Sequence, residues 1–69
     1  MVLVFKTNIE KDSDIEGISP VLKSFREIIS WSIDNEDVDN VLRIESTEDI
    51  TNSVEYILNS SGYLCAELV

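Results

Sequence analysis

Histidine is absent from the sequence, and cysteine occurs once, as Cys65. Zinc and copper(I) sites in proteins need several thiolate or imidazole ligands, so a single copy of this chain lacks the groups to build one. The lone cysteine also excludes an internal disulfide. We therefore expect no tight binding of zinc or copper(I) by the monomer.

Glycine is scarce as well, with two residues, and the sequence contains no glycine-rich phosphate loop and no nucleophile elbow. A reactive thiol needs a nearby base and a positive environment. Cys65 has neither a histidine to activate it nor a positively charged chain around it. We expect no enzymatic activity and no cofactor.

Long apolar runs are missing too. The opening stretch Val2 to Phe5 is followed at once by Lys6, and it is too short for a secretion signal or a membrane span. A single free thiol suits a reducing compartment. These features predict a cytoplasmic protein with no membrane partner.

Positive charge is rare: five basic residues stand against fourteen acidic ones, for a formal net charge of −9. Such a chain repels phosphate backbones and anionic membrane surfaces, so we expect no nucleic acid partner. Cations and basic protein surfaces are better partners. Solubility alone is also a sufficient reason for the acidic composition.

The first half of the sequence predicts a strand and then a helix. Residues 2–9 alternate, with Leu3, Phe5, Thr7 and Ile9 on one face. Ser13 and Glu16 fit a capping box that would open the helix. Its apolar stripe comprises Ile15, Ile18, Leu22, Phe25 and Ile29. Pro20 lies inside this stripe and predicts a kink or a late helix start.

A hairpin comes next. Trp31 and Ile33 alternate on a short strand, the polar run 34–40 predicts a turn, and a third strand follows. On that strand Leu42 and Ile44 face inward, whereas the outward positions are Val41, Arg43 and Glu45.

A second helix and a last strand complete the pattern. The helix is predicted to open at Thr47 and to end before Gly62, and its core stripe comprises Ile50, Val54, Ile57 and Leu58. Residues 63–69 form the last strand, with Leu64, Ala66 and Leu68 in one inward-facing phase.

Strand, helix, hairpin, helix and strand make the split βαβ pattern of one α+β domain, residues 1–69, with a ferredoxin-like fold. Right-handed crossovers place the first and third strands centrally in a four-stranded antiparallel sheet, with both helices on one face. The other face stays open. We expect it to carry Val2, Val4, Val41, Arg43, Tyr63 and Cys65. Its apolar members predict self-association or contact with another protein.

Four segments, 5–9, 18–22, 31–34 and 62–68, resemble the corresponding parts of heavy-metal-associated, metallochaperone-like domains. That family binds metal through a Cys-x-x-Cys pair in its first loop. The resemblance places Lys11 and Asp14 at those two positions, and a lysine cannot ligate a soft cation. The chain is thus expected to be a degenerate member without the family's metal site.

Two acidic clusters remain to be explained. Glu10, Asp12, Asp14 and Glu16 lack the glycine turn and the bidentate glutamate of a calcium loop, and acids are favoured at a helix N-terminus. The run 34–39 has the composition of a turn. Neither cluster predicts a specific cation site.

The leading hypothesis is a non-catalytic binding or regulatory domain of heavy-metal-associated fold that works through protein contacts. The alternative is a metal-handling protein that uses the acidic loop, or a site shared between chains, for a cation. A third possibility is a vestigial paralogue with no selected activity. The sequence names no partner and no oligomeric state.

Overall fold

Six elements of secondary structure follow one another in the predicted order. In the computed structural model, which describes residues 1–68, they are β1 (Val2–Thr7), α1 (Asp12–Lys23), β2 (Ile28–Asp34), β3 (Val41–Ser46), α2 (Thr51–Ser60) and β4 (Cys65–Glu67). Val69, which the sequence assigns to the last strand, lies outside the described residues.

The four strands form one antiparallel sheet in the order β2-β3-β1-β4. The first and third strands are therefore central, as predicted, and β2 and β4 are the two edges. With two helices added, this is the ferredoxin-like α+β fold that the sequence pattern indicates.

The core lies between one face of the sheet and the two helices. On that face Leu3 is opposite Ile44 and Phe5 is opposite Leu42, and all four side chains are buried. The helices contribute fully buried residues at the predicted positions Ile18, Leu22, Val54 and Leu58. Burying one such aliphatic side chain contributes about 1.5–3 kcal/mol to stability.

Helix α1 differs from its prediction at both ends. It begins at Asp12, so the capping box between Ser13 and Glu16 is wrong. Pro20 lies within the helix and supplies no backbone N–H, and the helix ends one turn later, at Lys23. Phe25 consequently packs from a turn, and Ile29 is not part of the stripe. It lies at a β-bulge of β2 with 63% of its surface exposed.

Helix α2 begins at Thr51, four residues after the predicted start. The carboxylate of Asp49 accepts hydrogen bonds from the backbone N–H of Thr51 (3.1 Å) and from its hydroxyl (2.6 Å), which ends the preceding loop in a local turn. These bonds also lower the pKa of Asp49.

The predicted end of α2 is confirmed. Gly62 has a φ of +97°, the left-handed conformation that favours glycine after a helix. The N–H of Gly62 donates to the carbonyl of Asn59 (3.2 Å), and the N–H of Tyr63 donates to that of Leu58 (3.0 Å). This pair of bonds is a Schellman motif, and it directs Tyr63 back towards the helices.

Strand β4 has the opposite phase to its prediction. Cys65 pairs with Thr7 across the β1–β4 ladder, so it shares the helix-covered face and is 6% exposed. Leu64, predicted to face inward, is 67% exposed, and Ala66 and Leu68 are exposed as well. The register follows from two bonds: the N–H of Leu64 donates to the side chain of Asn8 (2.9 Å), and the N–H of Leu68 donates to the carbonyl of Val4 (2.9 Å). A shift of one residue exchanges the two faces of a strand.

Candidate functional site

Lys11 and Asp14, at the positions where the resemblance places metal ligands, open helix α1. The side-chain oxygen Oδ2 of Asp14 accepts the backbone N–H groups of Glu10 (3.3 Å) and Lys11 (3.2 Å). Those donors have no partner within the helix, so the carboxylate caps them. Hydrogen bonds to the Asp14 side chain thus hold the loop at the two positions that the resemblance assigns to metal ligands.

The other acidic side chains near this loop also take part in local structure. Oδ1 of Asp34 accepts the N–H of Glu36 (3.1 Å), and Oδ1 of Asp37 accepts the N–H of Asp39 (2.9 Å), as in Asx turns. Asp39 lies 3.5 Å from the Lys6 ammonium. In the region spanning residues 1–68, no group of three or more acidic or cysteine side chains converges to hold a metal ion.

The hairpin turn between β2 and β3 is bonded to the loop between β1 and α1. The side chain of Asn35 donates to the carbonyl of Ile9 (2.8 Å), and the hydroxyl of Thr7 donates to the carbonyl of Asn40 (2.6 Å). Asn40 has a φ of +46°, a left-handed conformation that asparagine tolerates better than most residues. These contacts hold the two loops together at one end of the sheet. The sequence offers no signal for them, because Asn35 and Ile9 are separated by 26 positions.

Cys65 is not on the open sheet face, contrary to the prediction. It lies in the core cluster, and its burial, with a smaller contribution from the Glu55 carboxylate, raises its pKa to about 12. A thiol with such a pKa is protonated at neutral pH and is a poor nucleophile. Tyr63 is also on the helix side: it is half-buried against the core, and its hydroxyl meets α1 at Gly17.

The open face is therefore different from the predicted one. Val2, Val4 and Arg43 are on it as expected, and Val41 is on it too but is only 5% exposed. In place of Tyr63 and Cys65, the open face carries Leu64, Ala66 and Leu68. We call the exposed or half-buried apolar residues of this face the open-face strip: Val2, Val4, Leu64, Ala66 and Leu68.

The strands place equal numbers of basic and acidic residues on the open face. The strands place Lys6 and Arg43 on it, together with Asp34 and Glu45. The net charge of −9 therefore comes from the rest of the chain. Beside Arg43, a shallow depression of about 300 Å³ is lined by Val2, Ser30, Trp31, Ser32, Arg43 and Glu45. The sheet thus presents a partly apolar surface of low net charge on an acidic molecule.

Neither helix in the described part of the chain has the length and apolarity needed to cross a membrane. Comparison with protein-family models, with curated proteins and with solved structures finds no match for this chain. The resemblance to heavy-metal-associated domains remains a prediction from the sequence.

Proposed function

We propose that this chain is a small non-catalytic binding domain of the heavy-metal-associated type, without a soft-metal site, that works through protein contacts in the cytoplasm. The observation that carries the proposal is the open-face strip, which the helices leave uncovered. Val2 and Leu64 expose 57% and 67% of their surface, and Leu68 exposes 39%. Contiguous exposed apolar residues bordered by polar ones are typical of protein-binding surfaces.

The charge distribution favours the same face. A protein partner that docks elsewhere meets a strongly acidic surface, whereas the open face has balanced charges. A partner with a neutral or basic surface fits it best. An acidic partner would be repelled by the acidic surface around the open face, because like charges across an interface oppose association. Nucleic acid is disfavoured by the net charge.

The second hypothesis, cation handling by the acidic loop, has less support. Asp14 already accepts two backbone hydrogen bonds, and Glu10 accepts a weak one from Asn40 (3.4 Å). A cation would have to compete with these contacts. Native mass spectrometry with a panel of metal ions tests this hypothesis directly, since it reports stoichiometry and oligomeric state together.

Site-specific photo-crosslinking tests the proposed function. A photoreactive amino acid replaces Val2 on the open face in one variant and Ser53, exposed on α2, in the matched control. In lysate from the source cells we expect discrete protein adducts from position 2 and none of the same mass from position 53. Equal adduct patterns from both positions, or no adduct from position 2, would count against the open face as a binding surface.

A further inference from the structure

The two edge strands of the sheet differ in whether their outward backbone groups are hydrogen-bonded to side chains. At the β4 edge, the side chain of Asn59 accepts the N–H of Cys65 (3.2 Å) and donates to its carbonyl (3.0 Å). One turn earlier in α2, the carboxylate of Glu55 accepts the N–H of Glu67 (2.6 Å). These backbone groups point away from β1, because the neighbouring Leu68 bonds to Val4 of that strand. The β4 edge is therefore occupied by side chains of α2.

At the other edge, the direction of the backbone groups follows from the ladder of β3. The N–H of Ser46 donates to the carbonyl of Met1 (2.8 Å), so even-numbered residues of β3 bond to β1 and odd-numbered ones bond to β2. Arg43 is opposite Ser32. Ser30, Ser32 and Asp34 consequently bond inward, whereas Trp31 and Ile33 direct their N–H and C=O groups away from the sheet.

This β2 edge has little protection against another strand. Proteins usually block an edge with lysine, proline, inward-pointing charges or bulges. Residues 28–34 contain no lysine, arginine or proline, and the single charge is Asp34. The bulge at Ile29 disrupts one end only. Within residues 1–68, no side chain makes a hydrogen bond to the outward groups of Trp31 or Ile33.

We propose that β2 pairs antiparallel with β2 of a second copy of this chain, about a two-fold axis at Ser32. In this register the backbone groups of Trp31 bond to those of Ile33 in the second copy, and those of Ile33 bond to its Trp31. The outward backbone groups of both residues in each copy are then hydrogen-bonded. The pairing sets an aromatic ring beside a β-branched side chain, a favourable cross-strand combination. Ser32 meets its own copy, and Asp34 meets Ser30, so no like charges are directly opposite.

The resulting dimer has one continuous eight-stranded sheet with both open faces on the same side. It is independent of what the open face binds, because β2 pairing uses backbone groups at the rim. Two chains of charge −9 repel each other. Added salt screens that repulsion, so the dimer strengthens as ionic strength rises.

Disulfide trapping tests the register. In a Ser32→Cys variant the two new thiols face each other across the axis, with β-carbons about 4.5–5.5 Å apart. Mild oxidation should then shift the chain to twice its 7.8 kDa mass on a non-reducing gel. Ser30→Cys is the matched control, since Ser30 is exposed on the same face of the same strand. Its copies are displaced by four residues, about 13 Å, along the pair, so it should stay monomeric. The buried Cys65 of the wild type gives the background.

Equal cross-linking of the two cysteine variants, or none with Ser32→Cys, would overturn the proposal. Sedimentation at several salt concentrations gives a second measurement. The wild type and Val4→Lys, which alters the open face, should both form the dimer, whereas Ser32→Lys, which opposes two cations at the axis, should lose it. A wild type that is monomeric at every salt concentration, or a Ser32→Lys variant that still dimerises, would equally overturn it.

Discussion

The hydroxyl of Tyr63 lies against Gly17, at the place where a β-carbon on that residue would project. Tyr63 comes directly after the left-handed Gly62, and the contact brings the start of the last segment against α1. Tyr63 and Cys65 pack on the helix side, whereas Leu64 between them is exposed. The contact therefore helps to determine that Leu64, and not Tyr63, is on the open face.

A double-mutant cycle on this contact should show strong coupling. In a Tyr63→Phe background, Gly17→Ala should stabilise the protein by about 0.5–1 kcal/mol, because alanine is the better helix residue and the clashing oxygen is gone. In the wild type the ring must move, so the same change should gain nothing or destabilise. Urea melts of the four proteins measure the coupling. An identical gain in both backgrounds would show that Tyr63 does not lie over Gly17.

The difference in burial between Leu58 and Leu64 predicts different costs for their replacement by alanine. Leu58 is fully buried, so Leu58→Ala should cost about 2–5 kcal/mol. Leu64 is largely exposed, so Leu64→Ala should change the free energy of unfolding by no more than about 0.5 kcal/mol. Denaturant melts compare the two. A large loss of unfolding free energy for Leu64→Ala would indicate that Leu64 faces the core, as the sequence pattern predicts.

The buried thiol should make stability fall at alkaline pH. Burial raises the pKa of Cys65 to about 12 from its ordinary value of 9.0, so the unfolded chain loses the proton first. The contribution of the protonated thiol to stability is complete below about pH 9 and is lost as the pH rises from there towards 12. The loss of stability amounts to roughly 1 kcal/mol by pH 10. Cys65→Ala, which removes the thiol, is the control. The wild type should lose more stability between pH 8 and pH 10 than this variant, and parallel losses would contradict the shift.

Two cysteines introduced at positions 11 and 14, at the start of α1, should create a site for soft metal ions. We expect wild-type protein to form no sub-micromolar complex with copper(I) or zinc in competition with a chromophoric chelator. Lys11→Cys with Asp14→Cys places two thiols three positions apart at a helix N-terminus, which lowers thiol pKa values and favours soft ions. Loss of the Asp14 cap should cost about 0.5–2 kcal/mol. A folded double variant that binds neither ion would show that Lys11 and Asp14 do not correspond to the metal-binding positions of heavy-metal-associated domains.

The element order, the central strands and most of the core could be predicted from the sequence, because Phe5, Leu42, Val54 and Leu58 belong to patterns with a single apolar phase. The phase of the last strand is predicted wrongly: the alternation of Leu64, Ala66 and Leu68 predicts these three residues inward and Tyr63 and Cys65 outward. The Schellman turn that ends α2 instead places Tyr63 and Cys65 on the helix side.

Polar contacts between distant parts of the chain could not be predicted. Asn59 and Glu55 cover the β4 edge, and Asn35 joins two loops, yet each is an ordinary surface residue by local pattern. The clean alternation of β1 predicts that Val2 and Val4 are on the open face. The exposure of Leu64 and Leu68 could not be predicted, because it depends on the register between β1 and β4, which forms only in the folded sheet.

The most direct test of the open face compares protein retention by three immobilised forms of the chain. Val4→Lys puts a charge in the open-face strip, and Ser53→Lys adds the same charge on the exposed side of α2. Both should stay folded; Val4→Lys, whose new charge is opposite Arg43, should be the costlier of the two, at about 1 kcal/mol. We predict that proteins from the source cells that bind the wild type also bind Ser53→Lys and are lost on Val4→Lys. Retention of the same proteins by all three forms would contradict the assignment of the open sheet face as the binding surface.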